Sequence, residues 1–351
     1  MQPSGWINRW DRQRVFTIVS LLVAPLLMAI LLRAVGKNPV SIFWAVIVSG
    51  FGNPLGLTEA ITRMTPIFLC ALAVAIPTRA GLYNIGGEGQ LHCGAIAATA
   101  LVLYAPWLPH VMMIPFIIIA AMVGGALWGM IPGLLRARFQ VNEILVSLML
   151  NYVAIFFVEH LVHGPWKDPN AFGWPYSAPF PEWAVLPTFG KSNIHLGILL
   201  GFVAVGIVYF IWQYTTWGRS IRLIEANPRT ARYAHINAAK YIVVLMAVGG
   251  AMAALAGLGE VSVVQNRLRP GISPGYGYTG FLVAWLARNN PIVIIPVAFF
   301  VGGLYSGADA LQLTAGLPSS TVDIFVGLAF LTFLVGESFW RTKRTFAEEA
   351  R

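Results

Sequence analysis

Charge is scarce in this sequence. Only 11% of its 351 residues are Asp, Glu, Lys or Arg, against about a quarter in a soluble domain. That shortage excludes an ordinary water-exposed globular chain. Cysteine is scarcer still, with Cys70 and Cys93 alone. Both lie in apolar surroundings, form no CxxC and no disulfide framework, and read as buried, inert thiols. Catalytic signatures are missing too. There is no HExxH, no GxSxG and no convincing pair of carboxylates. Gly190–Ser192 (GKS) resembles the end of a phosphate loop, but Val185 stands where its first glycine must be. No other Walker A string occurs, so neither ATP hydrolysis nor another enzymatic activity is expected of this chain. Glu159, His160 and His163 form an HxxH group that reads as polar anchoring rather than a metal site. No metal and no cofactor is expected within the chain.

Apolar residues are plentiful. The chain is 57% hydrophobic with a mean hydropathy of +0.71. Runs of about twenty apolar residues match the thickness of a bilayer. They predict an all-α integral membrane protein with ten spans, near 15–34, 60–78, 88–105, 111–132, 143–162, 195–216, 240–262, 276–287, 291–309 and 320–338. The stretch 39–51 looks too short to cross and is placed as an interfacial helix. The first run follows MQPSGWINRWDRQR with no small-residue cleavage site, so it reads as an uncleaved span.

The net charge is +9, yet the basic residues gather in particular loops instead of forming a nucleic-acid patch. Arg9, Arg12 and Arg14, then Arg136 and Arg138, then Arg219 through Lys240, then Arg341, Lys343 and Arg344 all fall on one side if both ends are cytoplasmic. Arg33, Lys37, Arg267 and Arg269 run against this rule. The scheme is one permease domain over 1–351. It has a cytoplasmic N-terminus (1–14), a periplasmic loop (163–194), a cytoplasmic loop (215–240) and a cytoplasmic tail (339–351). Ten spans divide into two inverted sets of five. Spans two and seven are each followed by a glycine-rich break, RAGLYNIGGEGQ and RPGISPGYGYTG, the kind of paired interruption that points to a substrate pathway.

Polar residues near such breaks are the candidate contacts. Glu88 and Gln90 lie among the glycines Gly86, Gly87 and Gly89 and either hydrogen-bond a polar solute or a neighbouring helix, or cap the third span or sit in a solvated cytoplasmic turn. Glu143, Ser147 and Asn151 are four apart and share one helix face. Asn151 lies about 12 Å deeper than Glu143, where an amide needs a partner, either solute or a neighbouring helix. Most tryptophans flank spans as interfacial belts. Tyr276 and Tyr278 sit inside the second break, where aromatic faces either stack on a planar solute or pack in the core. The loop 215–240 is the most polar internal segment. Asn227–Pro228 signals a turn, and Pro228 can open a short helix. That helix either docks a partner protein or anchors the loop.

Four strings, GLYNIGGEGQLHCGA, IPGLLRARFQVNEILVSLMLNY, GRSIRLIEANPRTARYAHI and RPGISPGYGYTGFLVAWLARNNP, resemble the permease subunits of bacterial ABC importers for nucleosides. These belong with the branched-chain amino acid and ribose permeases. The resemblance runs from about residue 60 to 340. It implies import by alternating access across the bacterial inner membrane, with nucleosides as favoured cargo and a sugar or branched-chain amino acid as the alternative. It implies a second, related permease, a cytoplasmic ABC ATPase where ATP and Mg act, and a substrate-binding lipoprotein. Glu225, Asn227, Pro228, Arg229 and Arg232 become the expected ATPase contacts. Asn84, Glu88, Gln90, Asn142 and Asn151 match family motifs and, with Tyr276 and Tyr278, become the expected border of the pathway. An ion-coupled secondary transporter is the alternative from another class.

Overall fold

A computed structural model describes residues 22–190, 192–318 and 320–349. The N-terminal segment 1–14, the start of the first predicted span, Lys191 of the GKS string and the last two residues of the tail lie outside them. Among the described residues every named element is helical. Contacts divide the chain into two compact units, 1–60 with 303–351, and 61–302.

In the first unit, helix α1 (Leu22–Ala34) meets α2 (Pro39–Phe51) at 119°. The corner is set by Gly36 at φ 76° and by Asn38, whose Oδ1 accepts from Val40 N at 3.1 Å ahead of Pro39. The unit also holds the start of α3 (Pro54–Thr78), the end of α12 (Pro291–Ala315) and α13 (Thr321–Glu349). Gly303 faces the Phe51 ring, and Ser306 Oγ donates to Gly56 O at 3.1 Å.

The second unit contains the remainder of α3, then α4 (Gly87–Tyr104), α5 (His110–Phe139), α6 (Glu143–His163), α7 (Leu196–Tyr214), α8 (Thr216–Ala226), α9 (Pro228–Tyr233), α10 (Ala238–Gly259), α11 (Tyr276–Leu286) and the start of α12. α10 lies along α5, and α4 packs on both. Small residues make this possible. Gly125, Gly129 and Gly133 of α5 meet Ala254, Gly250 and Met246 of α10 with backbone nearly touching backbone. In lipid, association depends on such close approach, because lipid tails are as apolar as leucine. α10 ends in a π turn, Glu260–Val264.

Among the described residues a helix overlaps each of the ten predicted runs, the first only from Leu22, and α2 has the bounds read from sequence. Among the described residues six helices are long and apolar enough to cross a bilayer, and α1 with α2 passes the same test as a bent pair. The other predicted spans differ for visible reasons. α4 opens on Glu88, Gln90 and His92. α11 has 11 residues, about 16 Å of helix against a hydrocarbon core of about 30 Å. The apolar part of α13 is short, Thr321–Gly336. Within the spans, burial separates two kinds of helix. The most apolar stretch of α3 is 89% buried and that of α10 72%, but only 22% of α5's and 28% of α6's. α3 and α10 are therefore central, and α5 and α6 turn apolar surface outward.

Candidate functional site

α3 stops at Thr78 because Gly81 takes φ 72° and the chain then runs non-helical through Leu82–Ile85. Non-helical backbone at membrane depth must find partners for its polar groups. One face of α6 supplies them. Tyr83 N donates to Glu143 Oε1 at 3.4 Å, Ile85 N to Ser147 Oγ at 3.3 Å, and Gly89 N to Asn151 Oδ1 at 2.8 Å. Asn151 Nδ2 returns a bond to Ile85 O at 2.9 Å. The four-residue spacing read from sequence thus forms a ladder whose rungs hold the break. Glu143 also meets Arg136 of α5, Nε to Oε2 at 3.4 Å.

Behind this ladder, Asn84 and Gln90 form a reciprocal amide pair with both bonds at 3.0 Å. Asn84 Nδ2 donates to Ala73 O at 3.1 Å, and its Oδ1 accepts from Gly86 N at 3.0 Å. Asn84 is fully buried, and with these bonds its side chain leaves little unmet hydrogen-bonding capacity.

The second glycine break meets the first. Glu88, 2% exposed, accepts from Gly277 N through Oε2 at 2.7 Å. It thereby caps the first turn of α11, whose N–H groups lack helical partners and whose dipole favours an anion. Ser273 Oγ accepts from Gly275 N and Tyr276 N at 3.1 and 3.0 Å. Gly277 cannot be larger, since a Cβ there would strike the backbone of Glu88. His92 Nδ1 lies 2.8 Å from Glu88 O, an acceptor to which it can only donate. Tyr278 Oη lies 3.4 Å from Asn151 Nδ2, and the tyrosine is half-buried at the edge of the cluster.

Five of the expected pathway residues, Asn84, Glu88, Gln90, Asn151 and Tyr278, are therefore joined in one cluster. Asn142 stands apart as the exposed cap of α6, accepting from Ile144 N at 2.9 Å. Tyr276 opens α11, half-buried beside Gly277. Sequence reasoning missed Ser273 and the special place of Gly277. A serine two residues before a glycine and three before the helix start was the available signal. Among the described residues no group of side chains could hold a metal ion. The cluster is a set of mutual hydrogen bonds tied to two buried carboxylates, Glu88 and Glu143.

The loop 215–240 is more helical than its composition suggests. α8 buries Gly218, Ile221 and Ile224, and exposes Arg219, Arg222 and Glu225. Its N-terminus is capped by Thr215 Oγ1, which accepts from Gly218 N at 3.3 Å. Asn227 ends α8 by donating to Leu223 O at 3.0 Å and starts α9 by accepting from Thr230 N at 3.4 Å. Pro228 opens α9 as expected, and Arg229 and Arg232 fall within it. The result is a helical elbow whose first arm, α8, exposes Arg219 and Arg222.

An apolar helical protein, with its polar residues tied together inside and a basic elbow outside, has the make-up of a membrane permease subunit. A family model described as the permease component of the branched-chain amino acid transport system matches residues 56–334. The glucose ABC transporter permease protein TsgB13 of Haloferax volcanii is 33% identical, over 95% of this chain and 90% of its own. The nucleoside ABC transporter permease protein NupB of Lactococcus lactis is 30% identical, over 93% and 92%. The guanosine ABC transporter permease protein NupP of Bacillus subtilis is 32% identical, over 89% and 93%. The chain belongs to this permease family and is a permease subunit of an ABC transporter, as its four strings implied. The ion-coupled alternative is set aside.

Proposed function

We propose that the chain is the permease of an ATP-driven nucleoside importer in the bacterial inner membrane. The observation that carries the cargo is kinship. Two relatives that span most of the chain, at 30% and 32% identity, bear nucleoside or guanosine names. A sugar is the second reading, favoured by TsgB13 at 33%. Partner permeases are suggested by a second guanosine permease of Bacillus subtilis, NupQ, which is also similar at 25% over 254 residues. Two related permeases would then form the pore, with a substrate-binding lipoprotein outside and an ABC ATPase, carrying ATP and Mg, inside.

In this reading α1, α3 to α7 and α10 to α13 cross the membrane, α2 lies at its interface, and both ends are cytoplasmic. The elbow of α8 and α9 docks the ATPase through Glu225, Asn227, Pro228, Arg229 and Arg232. The two breaks border the pathway with Asn84, Glu88, Gln90, Asn142, Asn151, Tyr276 and Tyr278. Tyr278 suits a planar base, because its ring is partly open while its hydroxyl is held near Asn151. Nucleotide on the ATPase drives import by favouring one of two bundle conformations, since equal affinity for both would shift nothing.

The test is uptake by cells lacking their own nucleoside and glucose systems and supplied with all four components. Labelled guanosine or adenosine should accumulate, and omission of this chain or of the ATPase should stop it. Accumulation of glucose alone moves the assignment to a sugar. Accumulation without the ATPase removes the ATP-driven mechanism.

A further inference from the structure

Away from the cluster, a cavity of about 80 Å³ opens where α3, α7, α8 and the α11–α12 turn come together. It is far smaller than the roughly 300 Å³ at which small-molecule sites begin, so it suits one functional group and not a whole solute. Its polar lining is one-sided. Arg79 and Arg222 contribute two guanidinium groups, Gln213 and Asn290 two amides, and no carboxylate lines it. Arg79 lies over the Trp212 ring at 4.6 Å, with its Nε buried and without a hydrogen-bond partner. Among the described residues neither arginine is in an ion pair. A buried cationic N–H without an acceptor is costly, and the missing partner by charge is an anion. Two guanidinium groups beside amide donors suit phosphate oxygens.

The surroundings indicate where that phosphate comes from. Tyr209 and Trp212 line the cavity at the end of α7. The same helix exposes Val203 (58%), Ile207 (53%) and Phe210 (58%). Ile292 is likewise exposed beside Pro291 at the rim. An aromatic pair with cations at the foot of an apolar ridge is the pattern of a membrane interface. We infer that this cavity binds the headgroup phosphate of an anionic phospholipid, with its acyl chains along α7. The site rests on membrane residence, which the family establishes, and not on the identity of the cargo. Because Arg79 is the first residue of the glycine break, a lipid held there also braces the segment that α6 clamps.

The transporter, purified with its co-expressed subunits in neutral detergent, would be titrated with phosphatidylglycerol or phosphatidylcholine. Native mass spectrometry and thermal unfolding give the readouts. Phosphatidylglycerol should be retained preferentially and raise the melting temperature. Arg222→Gln, at an exposed position, should lower that retention by about tenfold or more, the loss expected for one charge-assisted hydrogen bond. Arg79→Gln should act in the same direction. Arg138→Gln removes an equal charge outside the cavity and should change nothing. The proposal fails if both lipids are retained equally, or if Arg222→Gln and Arg138→Gln lose lipid alike. It fails if inorganic phosphate gives the same Arg222-dependent protection, which marks a free-anion site. It also fails if Arg222→Gln keeps the lipid but loses the co-purifying ATPase, which marks a docking contact for an acidic partner.

Discussion

The cluster around α4 and the elbow of α8 and α9 are written in similar residues, Asn, Glu and Gly with basic neighbours. In the cluster, Asn84 and Asn151 are fully buried and bonded to backbone on two sides. In the elbow, Asn227 uses the same chemistry to join two short helices, while Arg219, Arg222 and Glu225 face outward. Burial makes the difference. Where water is absent a polar group must be satisfied inside the protein. At the surface, charged side chains such as Arg219 and Glu225 stay accessible. Changes in the cluster should therefore cost stability first, and changes in the elbow should cost transport first.

The largest expected effect is that of Gly277→Val. A side chain there meets the Glu88 backbone, which cannot move aside as a flexible side chain would. Loss of the monodisperse protein peak after detergent extraction is expected, and recovery at the normal level would show that the two breaks do not need their close contact. Asn151→Leu comes next. It strands Gly89 N–H and Ile85 C=O, at about 1–3 kcal/mol each, so the melting temperature should fall by several degrees, with altered uptake kinetics. A lower melting temperature with wholly normal kinetics would assign Asn151 to packing alone. Arg229→Glu and Asn227→Pro should reverse the pattern by abolishing uptake while the protein stays inserted and folded. Normal transport in both would end the docking assignment. The smallest effect is expected for Glu143→Gln. Its partner Arg136 is 37% exposed, so the pair contributes about 1 kcal/mol or less, read as a slight drop in melting temperature.

Spacing made part of this arrangement legible. Glu143, Ser147 and Asn151 share a face in any α-helix, so their alignment follows from sequence. That they clamp Tyr83, Ile85 and Gly89 does not, because those partners lie some sixty residues away. α8 was hidden because hydropathy looks for long apolar runs. Its signal was the three-residue spacing of Gly218, Ile221 and Ile224. Helix ends escaped for the same reason: α5 runs past its apolar stretch to carry Arg136 and Arg138. The glycines of α5, four apart, carry the signal of a close helix contact, which sequence reasoning passed over, and nothing in their spacing names α10 as the partner.

That glycine contact has a mechanical corollary. Interlocked leucines must change rotamer before one helix can pass another, so they resist displacement along the axis. Gly125, Gly129 and Gly133 against Gly250 present α10 with a smooth track. Such a seam offers less resistance to lengthwise displacement than an interlocked one, whereas the ladder of α6 is tied to its neighbour by four hydrogen bonds.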